Sequence, residues 1–212
     1  MQNLDKSTVL QSPLYNGNIM PSLMEDYEKI AIIIIDIQKG IINMNRELNP
    51  YSGDKIVENN VKLVNRLRES GCLITFVHVD FLDGKDALKP VMDESGDSMN
   101  NYPDDFAEFL PELSPNSSDL VITKRQWGAF FGTELDLQLR RRRIDTLLLT
   151  GVATSIGVDT TAREAFQRDY QQIFVEDAMT DLTNERHQFV TQKIFPRMGR
   201  IRSTADVIQE LK

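Results

Sequence analysis

An apolar run at Ile30–Ile35 stops abruptly at Asp36. A shorter one, Leu120–Thr123, stops at Lys124. A third, Thr146–Thr150, leads into Gly151-Val152-Ala153-Thr154-Ser155-Ile156-Gly157. These three endings are chemically complementary. A carboxylate can exchange protons, and an ammonium can hold a neighbouring charge in place. The free N–H groups of a turn opening a helix can receive a developing oxyanion. Each also has a plainer use. Asp36 is suited to capping a turn, Lys124 to sitting in solvent, and the Gly151 segment to an ordinary strand-to-helix connection. What points to a site is the three together at three run ends. A magnesium carboxylate of a nucleotide hydrolase would need a G-x-x-x-x-G-K-[ST] loop, which the sequence does not contain. Cys72 follows the helix-ending Gly71 and reads as a buried structural thiol. His78 stands without a D-x-H partner and reads as a satisfied core residue, so neither metal nor cofactor is expected. Nothing in the sequence ties His187 to the turn at Thr154 and Ser155.

The elements that must position these residues follow from the apolar pattern. Ile30–Ile35, Leu73–Val79, Leu120–Thr123, Thr146–Thr150, Ile173–Val175 and Arg200–Arg202 read as strands; the continuous apolar runs among them suit strands buried on both faces. Between them, helices are expected from an Asp54 cap through Val57, Val61, Val64 and Leu67 to Gly71, over 133–142, from the Gly151 turn to about Asp169, over 185–195, and over 204–211. The long stretch 80–118 reads as a loop with a short helix near 105–110. The four-residue basic run Arg140–Arg143 falls at a helix end, where it offsets the dipole. Alternation at this spacing predicts a three-layer αβα domain over 29–212 around a doubly wound parallel sheet of about six strands. The order 3-2-1-4-5-6 places one reversal beside the first strand, and ligands bind beyond the carboxyl ends of strands at such a point. Residues 1–28 carry no hydrophobic period and read as an arm.

Composition narrows the partners. Lys and Arg number 24 against 32 Asp and Glu, a formal charge of −8, which argues against nucleic acid. No apolar run approaches the ~20 residues of a membrane helix. One cysteine and no secretory opening point to the cytoplasm and a small-molecule substrate.

From Lys29 to Lys212 the chain resembles the isochorismatase-like hydrolase superfamily, which also holds nicotinamidases and other cysteine amidases. The resemblance rests on Ile34-Ile35-Asp36-Ile37-Gln38, on Thr123-Lys124-Arg125-Gln126-Trp127-Gly128-Ala129-Phe130, and on Gly151 to Val158 followed by Asp159-Thr160-Thr161-Ala162-Arg163. It implies an Asp–Lys–Cys triad in which Asp36 and Lys124 are retained and Gly157 stands at the nucleophile position. It also implies a cis peptide between Val152 and Ala153, oxyanion donors from Ala153 and Gly157, and a site lined by Gln38, Trp127 and Phe130. Members without the cysteine hydrolyse a vinyl ether non-covalently, so Asp36 is expected as general acid/base and Lys124 as its electrostatic partner. Isochorismate-binding members present basic and amide groups to two carboxylates. Here the charges of the segment Asp80-Phe81-Leu82-Asp83-Gly84-Lys85-Asp86 are dominated by acids, three Asp against one Lys. The alternative is a ligand-binding or structural member that lost turnover with the cysteine; a substitute Ser155 nucleophile ranks last. The resemblance further implies a homo-oligomer, with the arm or the Trp127–Phe131 region at an interface.

Overall fold

The computed structural model describes residues 26–44, 47–93 and 102–211. The expected arm lies almost entirely outside them; Tyr27–Lys29 form one helical turn leading into the first strand.

Six strands make one parallel sheet: β1 (Ile30–Ile35), β2 (Leu73–Val79), β3 (Leu120–Lys124), β4 (Thr146–Val152), β5 (Gln171–Thr180) and β6 (Arg200–Arg202), in the order β3-β2-β1-β4-β5-β6. That is the expected topology. Strand β1 is buried throughout and serves two cores by simple alternation. Ile30, Ile32 and Ile34 join one apolar cluster, with Leu63, Leu67 and Val207. Ala31, Ile33 and Ile35 join the other, with Leu139, Ala162 and Phe195. Helices α1 (Lys39–Ile42), α2 (Gly53–Glu69), α3 (Leu135–Arg141), α4 (Asp159–Phe166), α5 (Asn184–Phe189) and α6 (Thr204–Glu210) complete the described elements with short π and 3-10 turns.

Four expectations are corrected. Helix α2 starts at Ser52, whose hydroxyl accepts from Lys55 N–H, rather than at Asp54. Its buried residues are Ile56, Asn59, Asn60, Leu63, Val64 and Leu67; Val64 and Leu67 are as expected, while Val57 and Val61 are only half-buried. The rotation has a polar cause. Asn59 and Asn60 point inward and donate to the carbonyls of Asp177 and Ala178 at 2.6 and 2.9 Å. Those carbonyls belong to a bulge in β5, which advances five residues from Phe174 to Met179 while β4 advances two, from Leu149 to Gly151. Glu176 and Asp177 sit in this bulge, which is why the apolar pattern ends at Val175 although the strand continues to Thr180. Finally, 105–110 forms turns and isolated bridges, Gln38 to Phe109 and Leu110 to Leu113, instead of a helix.

Candidate active site

Asp36 follows the last residue of β1 with φ +57°, a left-handed conformation that Asp tolerates better than most residues. Its N–H donates to Val77 O, so the backbone is still held by the sheet while the carboxylate leaves it. Lys124 ends β3, an edge strand two positions away. Its Nζ reaches across β2 to within 2.7 Å of Asp36 Oδ2 and donates also to Trp127 O at 2.6 Å. Both side chains are buried, at 9% and 1% exposure. Burial raises the Asp36 pKa above the usual carboxylate range, and the Lys124 charge opposes the rise without cancelling it. Oδ1 of Asp36 is buried and has no hydrogen-bond partner among the described residues. An orphaned acceptor of this kind is rare in a folded core and calls for an explanation.

The third component arrives from β4. Gly151 pairs with Ile35 at φ +125°, and a Cβ there would lie 2.0 Å from Ile35 O. Only glycine lets the two strand ends approach so closely. The Val152–Ala153 peptide is cis, and Thr154–Val158 make a π-helical turn that continues into α4. An ideal Cβ on Gly157 would stand 3.0 Å from Asp36 Oδ2 and 3.3 Å from Lys124 Nζ. Asp36, Lys124 and Gly157 therefore meet at one point, as the order of the strands predicts.

Two residues absent from the expected site hold the turn from behind. Asp181, just past β5, accepts from Ser155 N–H at 2.6 Å. His187 on α5 has Nδ1 2.9 Å from Thr154 Oγ1, both buried. Burial holds the His187 imidazole below its usual value, with Asp181 pulling the other way. Thr154 is fully buried, so the pair secures the turn and does not present a nucleophile. No sequence signal links positions 154, 181 and 187, which lie on separate elements.

The expected lining residues are placed differently. Gln38 is fully buried; its amide accepts from Val79 N–H and donates to Val79 O and Phe106 O, so it pins the 102–113 segment to β2 and leaves nothing for a ligand. Phe130 packs in the core against Tyr170, under Arg168. The Trp127 ring is 57% exposed, and its carbonyl is what touches the site. His78 bonds at both nitrogens, to Ala107 O and Thr123 Oγ1. Among the described residues no group of three or more His, Cys, Asp or Glu is arranged to hold a metal. Arg125, beside Lys124, is engaged by the Asp86 carboxylate and by Asp80 O, within the acidic segment.

A carboxyl with a raised pKa, a fixed ammonium and a helix-starting turn can deliver a proton to a bound substrate and hold the charge that follows. Comparison with known proteins identifies the family. The model of the isochorismatase domain matches residues 30–206. An uncharacterised isochorismatase family protein of Bacillus subtilis, YwoC, is 49% identical over 92% of this chain and all of its own. An isochorismatase of the same organism is 27% identical over 90% of this chain and 61% of its own. The solved structure of an isochorismatase family protein from Burkholderia thailandensis superposes with a TM-score of 0.82 at 39% identity, covering 87% of this chain and 96% of that one.

Proposed function

Since the chain belongs to the isochorismatase-domain family, we propose that it is a small-molecule hydrolase that works without a covalent intermediate. Asp36 is the general acid/base, Lys124 its electrostatic partner, and Gly157 leaves open the volume where related cysteine hydrolases carry their nucleophile. Hydrolysis of a vinyl ether fits these residues best. Protonated Asp36 gives its proton to the vinyl carbon, water adds to the resulting oxocarbenium carbon, and the hemiketal collapses to alcohol and ketone. The Asp36 carboxylate takes back the proton that water releases, so the cycle balances. Backbone amides of Ala153 and Gly157 are the proposed donors to the substrate oxygen.

The observation carrying this reading is the carboxyl of Asp36. It is buried, its pKa is raised by that burial, and one oxygen is unpartnered among the described residues. A carboxyl whose pKa is raised by burial is suited to give a proton to a substrate and to take one back. The acidic segment that engages Arg125 argues against a dicarboxylate such as isochorismate itself. A hydrolysis screen of enol ethers, esters and amides tests the reading, with Asp36→Asn alongside. Turnover in the wild type that falls at least about a hundredfold in the variant is expected, the usual size of a lost acid/base group. No turnover in either protein moves a ligand-binding role to first place. Oligomeric assembly through the Trp127–Phe131 segment and a cytoplasmic setting belong to the same proposal.

A further inference from the structure

Lys124 sits at the end of the edge strand and must reach across β2 to Asp36. The loop after it, 125–131, has no outer strand to fix it. It is held by α4 instead. Thr161, fully buried, donates its hydroxyl to Gly157 O at 2.7 Å and accepts from Ala129 N–H at 3.1 Å. One turn further on, Glu164 Oε2 accepts from Phe130 N–H at 3.1 Å. Residues three apart share a helix face, so two consecutive loop amides meet two acceptors on one side of α4. Gly128 makes this approach possible, because a Cβ there would lie 2.2 Å from Glu164 Oε2. The same loop supplies Trp127 O to Lys124 Nζ.

A closed circuit results. The Gly157 turn binds Thr161, Thr161 binds the loop, the loop carbonyl binds Lys124, and Lys124 binds Asp36, which faces Gly157. We propose that Thr161 and Glu164 are positioning residues for the reacting pair. They hold the Trp127 carbonyl where it orients the Lys124 ammonium on Asp36, and Thr161 locks that loop in register with the turn. The proposal rests on the reading of Asp36, Lys124 and Gly157 as one site. Its reach is electrostatic: an ammonium that loses one of two acceptors drifts from the carboxylate, and its influence at Gly157 weakens with distance.

A thiol placed at the site reads this influence without a substrate. In a Gly157→Cys protein the Cβ would stand 3.3 Å from Lys124 Nζ, and a nearby ammonium lowers a thiol pKa. The native Cys72 is buried, with its pKa pushed up to about 11, so it stays silent below that range. The pH dependence of iodoacetamide alkylation gives the pKa of the introduced thiol. Lys124→Met is expected to raise it. Thr161→Val is expected to raise it by about half a unit, read as a roughly threefold slower reaction at pH 7, with Thr161→Ser restoring the original value. Glu164→Ala should shift it in the same direction. Circular dichroism and the melting temperature verify that each variant is folded. If Thr161→Val fails to fold, Glu164→Ala carries the test alone. A thiol that responds to Lys124→Met but not to the folded α4 variants overturns the positioning role and leaves the site reading standing. A thiol indifferent to Lys124→Met overturns both.

Discussion

In the proposed mechanism Gly157 leaves space beside Asp36, and the Asp36 carboxyl gives and takes the proton. At Gly157 the backbone φ is not left-handed, so a side chain is conformationally permitted, and the nearest obstacle is the tip of the Asp36 side chain at 3.0 Å. A Gly157→Cys thiol is therefore expected to fit after a shift of a few tenths of an ångström. It should be acylated by an activated ester, with Asp36 as proton acceptor and Lys124 stabilising the thiolate. Mass spectrometry after exposure to p-nitrophenyl acetate should show an adduct at position 157 that is lost in the Asp36→Asn, Gly157→Cys double variant. Equal labelling with and without Asp36 would mean that the carboxylate does not serve that position. Asp36 and Lys124 were legible because each lies at an abrupt end of an apolar run, whereas Gly157 was picked out only by the family resemblance. Gln38 and Phe130 were misread for the opposite reason. A buried glutamine that satisfies main-chain groups and a core phenylalanine look the same in sequence as residues touching a ligand.

The strands position these groups by close backbone approach, and Gly151 is where that approach is tightest. Any side chain there meets the carbonyl of Ile35 in the centre of the sheet, at a φ that L-residues avoid. Gly151→Ala is expected to destabilise the fold by about 2–4 kcal/mol, by strain and overpacking together, read as a lower urea midpoint with an unchanged slope. A midpoint equal to wild type would contradict the close approach. Helix α5 secures the turn through His187, and burial gives that contact a pH dependence. The folded-state pKa of His187 lies below the 6.5 of an ordinary histidine. The unfolded chain therefore takes up the proton first as pH falls. The stability contributed by neutral His187 is complete above 6.5 and is lost as pH falls through 6.5 toward the folded value. Thermal unfolding from pH 8 to pH 5 should show a smaller drop in Tm for His187→Gln than for wild type; parallel profiles would remove His187 from that role. The element pattern itself was legible wherever burial was simply apolar, as in β1 and the middle of β2. It failed where polar groups were inside. The inward Asn59 and Asn60 turn α2 so that Val57 and Val61 are only half-buried, and the bulge at Glu176 and Asp177 hid the second half of β5.

At the scale of the whole molecule, the two cores are closed by their own helices, yet several large apolar rings stay in solvent. Phe131 is 70% exposed and Trp127 57%, four residues apart on the loop that α4 holds through Ala129 and Phe130. Phe166, at the end of α4, is 53% exposed. Scattered exposed apolar residues are ordinary, but two exposed aromatic side chains four residues apart on a loop fixed by hydrogen bonds are suited to an interface, since little ordering entropy remains to be lost. A net charge of −8 opposes non-specific association, so an assembly that forms in spite of it needs a specific contact. Sedimentation velocity at micromolar concentration is expected to show a dimer or larger species. Phe131→Ser, which changes a solvent-exposed ring and leaves the backbone partners of Lys124 in place, should shift that species toward monomer with the melting temperature of the monomer fold retained. A monomer in the wild type at that concentration would set the assembly aside. An oligomer untouched by Phe131→Ser would place the contact elsewhere on the molecule, and the Trp127 loop would then serve Lys124 alone.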